Sequence, residues 1–148
     1  FGDHQPQVAT NFYTEMLGGV FEDVDIAVAQ QRQEVPFLLW ANYDIPEQEG
    51  IVTSLNYLST LLVETAGLPL TGYQTFLSGI RGEVPALNAM GYLDSQGVWH
   101  RDRETLPEAA QTALNAYEML QYNQLFDSRE DRLEDFFTLP ISADGGTP

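Results

Sequence analysis

Apolar positions recur along this chain at two periods, one of three to four residues and one of two, and each period predicts a different kind of element. Phe12, Met16 and Leu17 fall at helical spacing after Thr10 and Asn11, either of which can cap a short helix, and Gly18-Gly19 stops it. Val35 to Tyr43 is a compact apolar run with Pro36 near its start and polar Asn42 and Asp44 at its end. That composition predicts a buried strand with Trp40 in the core and Asn42 at a turn, followed by a polar loop from Asp44 to Gly50. Leu55, Leu58, Leu62 and Thr65 predict a helix from Ser54, capped by Thr53 and closed by Gly67 with Leu68-Pro69 behind it. A further helix is predicted after Thr71, burying Tyr73, Phe76, Leu77 and Ile80 and stopping at Gly82.

Residues 86–93 and 98–101 flank Asp94-Ser95-Gln96-Gly97, which predicts a β-hairpin with a loop longer than the two-residue minimum. Thr105-Leu106-Pro107-Glu108 has capping-box spacing, and Ala110, Leu114, Tyr117 and Leu120 follow at intervals of three and four. The longest helix is therefore expected to run to about Leu125. Residues 127–135 mix acids with Arg129 and Arg132, and residues 138–148 have the turn and linker composition of a flexible tail. The alternation of strands and helices reads as an α/β piece with few strands, packed helices and a β-hairpin. An exposed sheet edge is its expected liability.

A length of 148 residues with 43% hydrophobic composition suits one core and no second large domain. Twenty-two acidic residues face six basic ones, all arginine, for a net charge of −16. Such a surface repels phosphate backbones, and no basic stripe offsets it, so nucleic acid is excluded as an expected partner. Without cysteine there is neither a disulfide framework nor a thiol nucleophile. The chain shows neither a signal peptide nor an apolar run long enough to cross a bilayer.

The candidate chemistry sits at Gly2-Asp3-His4-Gln5-Pro6, where a carboxylate and an imidazole leave one loop side by side. Together they offer a hard oxygen and a borderline nitrogen to one divalent cation. A catalytic metal usually holds three or more protein ligands, so the others must come from elsewhere. Competing motifs are weaker. Asp23, Asp25 and Glu34 match the first, third and twelfth positions of a calcium loop, but Ala27 replaces a ligand and Val28 stands where glycine is needed. Gly79 and Gly82 lack the lysine of a phosphate loop. Ser54 and Ser59 have no base nearby in sequence, and His100, beside Trp99, reads as a surface or hairpin-packing residue. Trp40, Asn42 and Tyr43 could otherwise line a cleft at a strand end.

Five blocks, taken in order, resemble the C-terminal third of the extracellular catalytic domain of the lipoteichoic acid synthase family. This is the phosphoglycerol transferase branch of the sulfatase and alkaline phosphatase superfamily. The blocks are FGDHQP at 1–6, VPFLLWANYD at 35–44, SLNYLSTLLVETAGLPLTGYQTFL at 54–77, EVPALNAMGY at 83–92 and NAYEMLQYNQLFD at 115–127. The resemblance implies that residues 1–137 are the C-terminal part of a sulfatase-like domain, with Asp3 and His4 as ligands of a catalytic manganese ion. It also implies a nucleophilic threonine and a further metal-binding glutamate upstream, so no catalytic residue falls in this stretch. The implied reaction moves glycerophosphate from phosphatidylglycerol to a polyglycerolphosphate acceptor. It takes place outside the cell membrane, in a parent anchored by an N-terminal membrane region.

On this reading the stretch alone is inactive and does not retain manganese, and its partner is the upstream part of the same domain. Two alternatives belong to other classes. A sulfatase-type ester hydrolase would keep the metal and change the nucleophile, whereas a non-catalytic interaction module would use Asp3 and His4 only as a turn.

Overall fold

The computed structural model describes residues 1–2, 4–5, 8–18, 23–126 and 134–139. Helix α1 spans Thr10–Leu17 and α2 spans Ile26–Gln30; α3 (Leu55–Thr65), α4 (Gly72–Glu83) and α5 (Glu108–Phe126) form the main helical layer. Between α4 and α5 lie three short strands, β1 (Ala86–Asn88), β2 (Gly91–Leu93) and β3 (Trp99–His100), with a 3-10 turn at Arg103–Thr105, and α6 (Glu134–Phe137) follows α5. The strands form an antiparallel meander in the order β1-β2-β3, with Leu87 opposite Tyr92 and Leu93 opposite Trp99. The fold is thus mixed α/β, helices packed with a small antiparallel sheet.

Helix α4 begins where the sequence places it, because Thr71 and Gln74 close a capping box. The Thr71 hydroxyl accepts from the Gln74 N–H at 3.1 Å, and the Gln74 side chain accepts from the Thr71 N–H at 3.0 Å. Leu77 and Ile80 on its inner face pack with Tyr57 of α3 and Tyr117 of α5, and Tyr73, Phe76 and Leu87 border them. A second cluster of Val84, Leu106, Ala110 and Leu114 continues the core under the sheet. Phe136 and Phe137 of α6 also meet Tyr73, with ring centroids 6.3 and 5.2 Å away.

Several elements differ from expectation for identifiable reasons. The strand expected at 35–43 is not formed. Its exposure alternates as in a strand, yet among the described residues its one backbone hydrogen bond joins the Gly2 N–H to the Pro36 carbonyl at 3.0 Å. A strand needs a neighbouring backbone, and among the described residues none pairs along it. Helix α3 buries Tyr57, Thr60 and Leu61, whereas Leu55 and Leu62 of the expected face are exposed. Thr53 does not cap it; Ser54 stands at the N-cap without a side-chain cap, and the Thr53 hydroxyl is buried without a partner among the described residues.

Gly82 does not stop α4, which continues to Glu83 before Pro85 prevents a further turn. Residues 86–93 divide into two strands at a tight turn over Ala89 and Met90. Neither Thr10 nor Asn11 caps α1, whose N-cap is Ala9, but Gly18 ends it as expected in the left-handed conformation, φ 69°. Thr105 belongs to the turn before α5 and donates to the Asp102 carbonyl instead of capping the helix. Of the expected tail at 138–148, residues 140–148 lie outside the described residues, as do residues 127–133 of the acidic stretch.

Three substitutions test this packing. Leu61→Ala should lower stability by about 2–5 kcal/mol in urea denaturation, and Leu62→Ala by less than about 1 kcal/mol; the reverse ranking would restore the face expected from spacing. Burial pushes the Tyr57 phenol up to about 12, with Asn56 partly opposing the shift, and among the described residues its hydroxyl has no partner of normal hydrogen-bond geometry. Tyr57→Phe should therefore be neutral or stabilising by the same measurement, since it removes a buried polar group and leaves the ring.

Candidate functional site

The amino-terminal loop is fastened to the beginning of the 35–53 run at two points. Besides the Gly2 to Pro36 bond, the Gln5 side-chain amide donates to the Glu34 carbonyl. Gly2 also lies close against its neighbour, since a Cβ there would stand 3.1 Å from the Val35 Cβ. His4 is exposed, and its Nδ1 is 2.9 Å from the Gln5 carbonyl oxygen. A carbonyl only accepts, so Nδ1 is the donor in this contact, an arrangement compatible with ligation through Nε2. Asp3 lies outside the described residues, so the geometry of the expected Asp3–His4 pair does too. Among the described residues no group of three or more His, Cys, Asp or Glu is placed to hold a metal ion.

Beside this loop a groove of about 920 Å³ opens between the 35–53 run, the start of α3 and β1. Trp40, expected in the core, is instead 80% exposed and lines the groove with Leu38, which is 83% exposed. Asn42 lies in a bend as expected, and the Tyr43 hydroxyl donates to the Ala66 carbonyl at 3.4 Å, tying the bend to the end of α3. Two amides at the groove satisfy each other: Gln30, 1% exposed, donates to Asn88 at 3.2 Å and accepts from it at 2.7 Å.

The other singled-out residues have structural roles. Asp25 caps α2 by accepting from the Ala27 N–H at 2.8 Å, and that helix occupies the middle of the spacing read as a calcium loop. Ser54 donates to Asn56 at 2.6 Å and accepts from the Leu87 N–H at 3.2 Å, joining α3 to β1. Ser59 is exposed on α3.

His100 packs on the hairpin and holds a partner that sequence reading missed. Its Nε2 donates to Asp94 Oδ2 at 2.9 Å, and its Nδ1 is 3.0 Å from the Thr105 hydroxyl. Asp94 is buried, and its Oδ1 accepts from the N–H groups of Gln96 and Val98, both at 2.9 Å. An Asp opening a turn that ends in glycine is the available signal for such a loop anchor. The Asp–His–Thr order is that of a nucleophile activated by a base, but the Thr105 hydroxyl gives its single proton to the Asp102 carbonyl at 2.7 Å. Neither described cavity includes these three residues. The chain is a clamp between the hairpin loop and the turn preceding α5. Arg103 extends it by donating to Glu118 and Asn115 of α5, both at 2.6 Å.

Burial acts to raise the Asp94 pKa, but the Val98 N–H, the His100 ring and the Gln96 N–H together outweigh it and hold the carboxyl below its usual range. A carboxyl depressed in the folded state adds stability above its unfolded pKa and loses it as the pH falls through the folded value. Asp94→Asn should therefore cost about 1–3 kcal/mol near neutral pH. The cost should shrink on acidification below the ordinary carboxylate range, as read by urea denaturation across pH; a difference that stays constant would show that charge plays no part.

Comparison of the chain with protein-family models, with curated proteins and with solved structures finds no match.

Proposed function

We propose that this chain forms the C-terminal part of a metal-dependent phosphoglycerol transferase of the lipoteichoic acid synthase type. The observation that carries the reading is the hydrogen bond from Gly2 to Pro36, by which the first two of the five resembling blocks meet at the mouth of one groove. In such an enzyme the metal-bearing loop must be held against the body of the domain, and two hydrogen bonds hold this one. The Nδ1 bond of His4 to a carbonyl is one that supports a histidine ligating through Nε2.

Asp3 and His4 would be the ligands on this part of the domain, and the upstream part would supply the remaining ligands and the threonine nucleophile. The ion, manganese by the resemblance, would polarise a phosphoryl oxygen and lower the pKa of the attacking hydroxyl. His4 in this role moves no proton; the Gln5 carbonyl fixes its ring. The substrate would be phosphatidylglycerol and the acceptor a polyglycerolphosphate chain, at the extracellular face of a bacterial membrane.

Manganese titration of the parent domain tests the assignment by calorimetry. Asp3→Ala and His4→Ala should each weaken binding by about tenfold or more. Unchanged affinity in both would remove the metal reading. Retained metal affinity in the parent with hydrolysis of a sulfate ester, and no transfer from phosphatidylglycerol, would move the chain to the sulfatase branch.

A further inference from the structure

Helices α3 and α5 meet strands β1 and β2 around a second cleft, of about 360 Å³, a size near the lower end of the range for small-molecule sites. Its walls belong to the folded core, not to the 35–41 edge. Ser54, Leu55 and Leu87 border both this cleft and the 35–53 groove, and the Leu87 N–H donates to the Ser54 hydroxyl at 3.2 Å. The remaining lining lies on α3, β2 and α5.

Helix α5 lends the cleft Leu114, Tyr117, Glu118 and Gln121, which fall three, four and seven residues along from the first and so share one face. Glu118 is held in place from outside. One of its carboxylate oxygens accepts from Arg103 at 2.6 Å, and the same guanidinium donates to Asn115 at 2.6 Å, so the second oxygen stays available as an acceptor. On α3 the Asn56 side chain accepts from Ser54 at 2.6 Å and its amide reaches the Tyr117 hydroxyl at 3.5 Å, longer than a normal hydrogen bond. Polar capacity is left over. Among the described residues no acceptor takes the Tyr117 proton, and neither the Tyr92 hydroxyl nor the Gln121 amide is engaged.

The chemistry of this inventory narrows the ligand. An anion finds no free cation here, because Arg103 is committed to Glu118 and Asn115 and the chain as a whole carries −16. A cation finds the carboxylate already paired. An apolar molecule would leave the Tyr92, Tyr117 and Gln121 groups without partners, at a cost in affinity. What remains is a neutral molecule that donates and accepts at several points and also presents apolar surface. A sugar ring does both, since each hydroxyl gives one proton and offers two lone pairs, while its C–H faces suit Leu55, Leu87, Leu114 and the tyrosine rings.

We propose that the cleft between α3, α5 and the sheet binds a neutral sugar ring, whose hydroxyl groups exchange hydrogen bonds with Tyr117, Glu118 and Gln121 while its C–H surface lies on the leucine wall. This site needs no metal and shares no residue with the Asp3–His4 loop, so it does not rest on the transferase reading.

The test uses the intact protein that carries this chain and ligand-observed saturation-transfer NMR, with glucose, galactose and N-acetylglucosamine as neutral probes. Saturable transfer to the ring protons of at least one of them is expected, with a Kd in the roughly millimolar range. Gln121→Ala and Tyr117→Phe should each weaken that binding at least about fivefold, and Asn123→Ala, exposed on α5 and outside the cleft, should leave it unchanged. Melting temperatures are recorded alongside. Should Tyr117→Phe lower the melting temperature, Gln121→Ala decides, because its side chain is exposed and holds no other element. Absence of saturable transfer from all three sugars, undiminished affinity in Gln121→Ala, or displacement of the sugar by inorganic phosphate would each overturn the proposal. Loss of manganese binding in the same protein would leave it standing.

Discussion

Helix α4 is fixed at its start by the reciprocal bonds of Thr71 and Gln74 and along its inner face by Leu77 and Ile80, and the other elements are arranged around that apolar face. Tyr57 and Tyr117 reach it from α3 and α5, and Leu87 reaches it from the first strand. Fully burying each such side chain is worth about 1.5–3 kcal/mol, more than the bonds at the surface supply. The Arg81–Glu64 pair between α3 and α4, at 2.5 Å and partly exposed, orients the two helices and adds little stability beyond that. The sheet hangs from this layer through Val84 and Leu106, and the 35–53 groove opens at its border.

Much of this architecture is legible in the residues. The stops at Gly18 and Gly67, the start at Thr71 and the turn at 94–97 are local chemistry, and each occurs where its residue types require it. The face of α3 was not legible, because Leu55, Tyr57, Leu58, Leu61 and Leu62 spread apolar surface around most of the helix and spacing cannot choose among them. The 35–43 run shows the opposite failure. Its composition states correctly that it suits a strand, but strand formation depends on a second backbone, which no property of the run itself supplies.

The candidate site was legible only as a pair of adjacent ligand types. Sequence placed an acid and an imidazole next to each other; the attachment of their loop to Pro36 and Glu34 required the fold, because the bonded residues are some thirty positions apart. The Asp94–His100 pair was missed for a related reason. A histidine near a tryptophan on a hairpin gives no local sign of which carboxylate it will meet across the loop.

The reciprocal amides of Gln30 and Asn88 carry an evolutionary consequence. Each side chain offers the other one donor and one acceptor, and the two positions are 58 residues apart in the chain. Gln30 is 1% exposed while Asn88 is exposed, so replacing Asn88 by a carboxylate or an alkyl group strands a polar atom of Gln30 in a dry setting. Drift at the two positions is therefore coupled, and lineages that change one should be found to have changed its mate, so that a correlation between distant alignment columns would betray this contact.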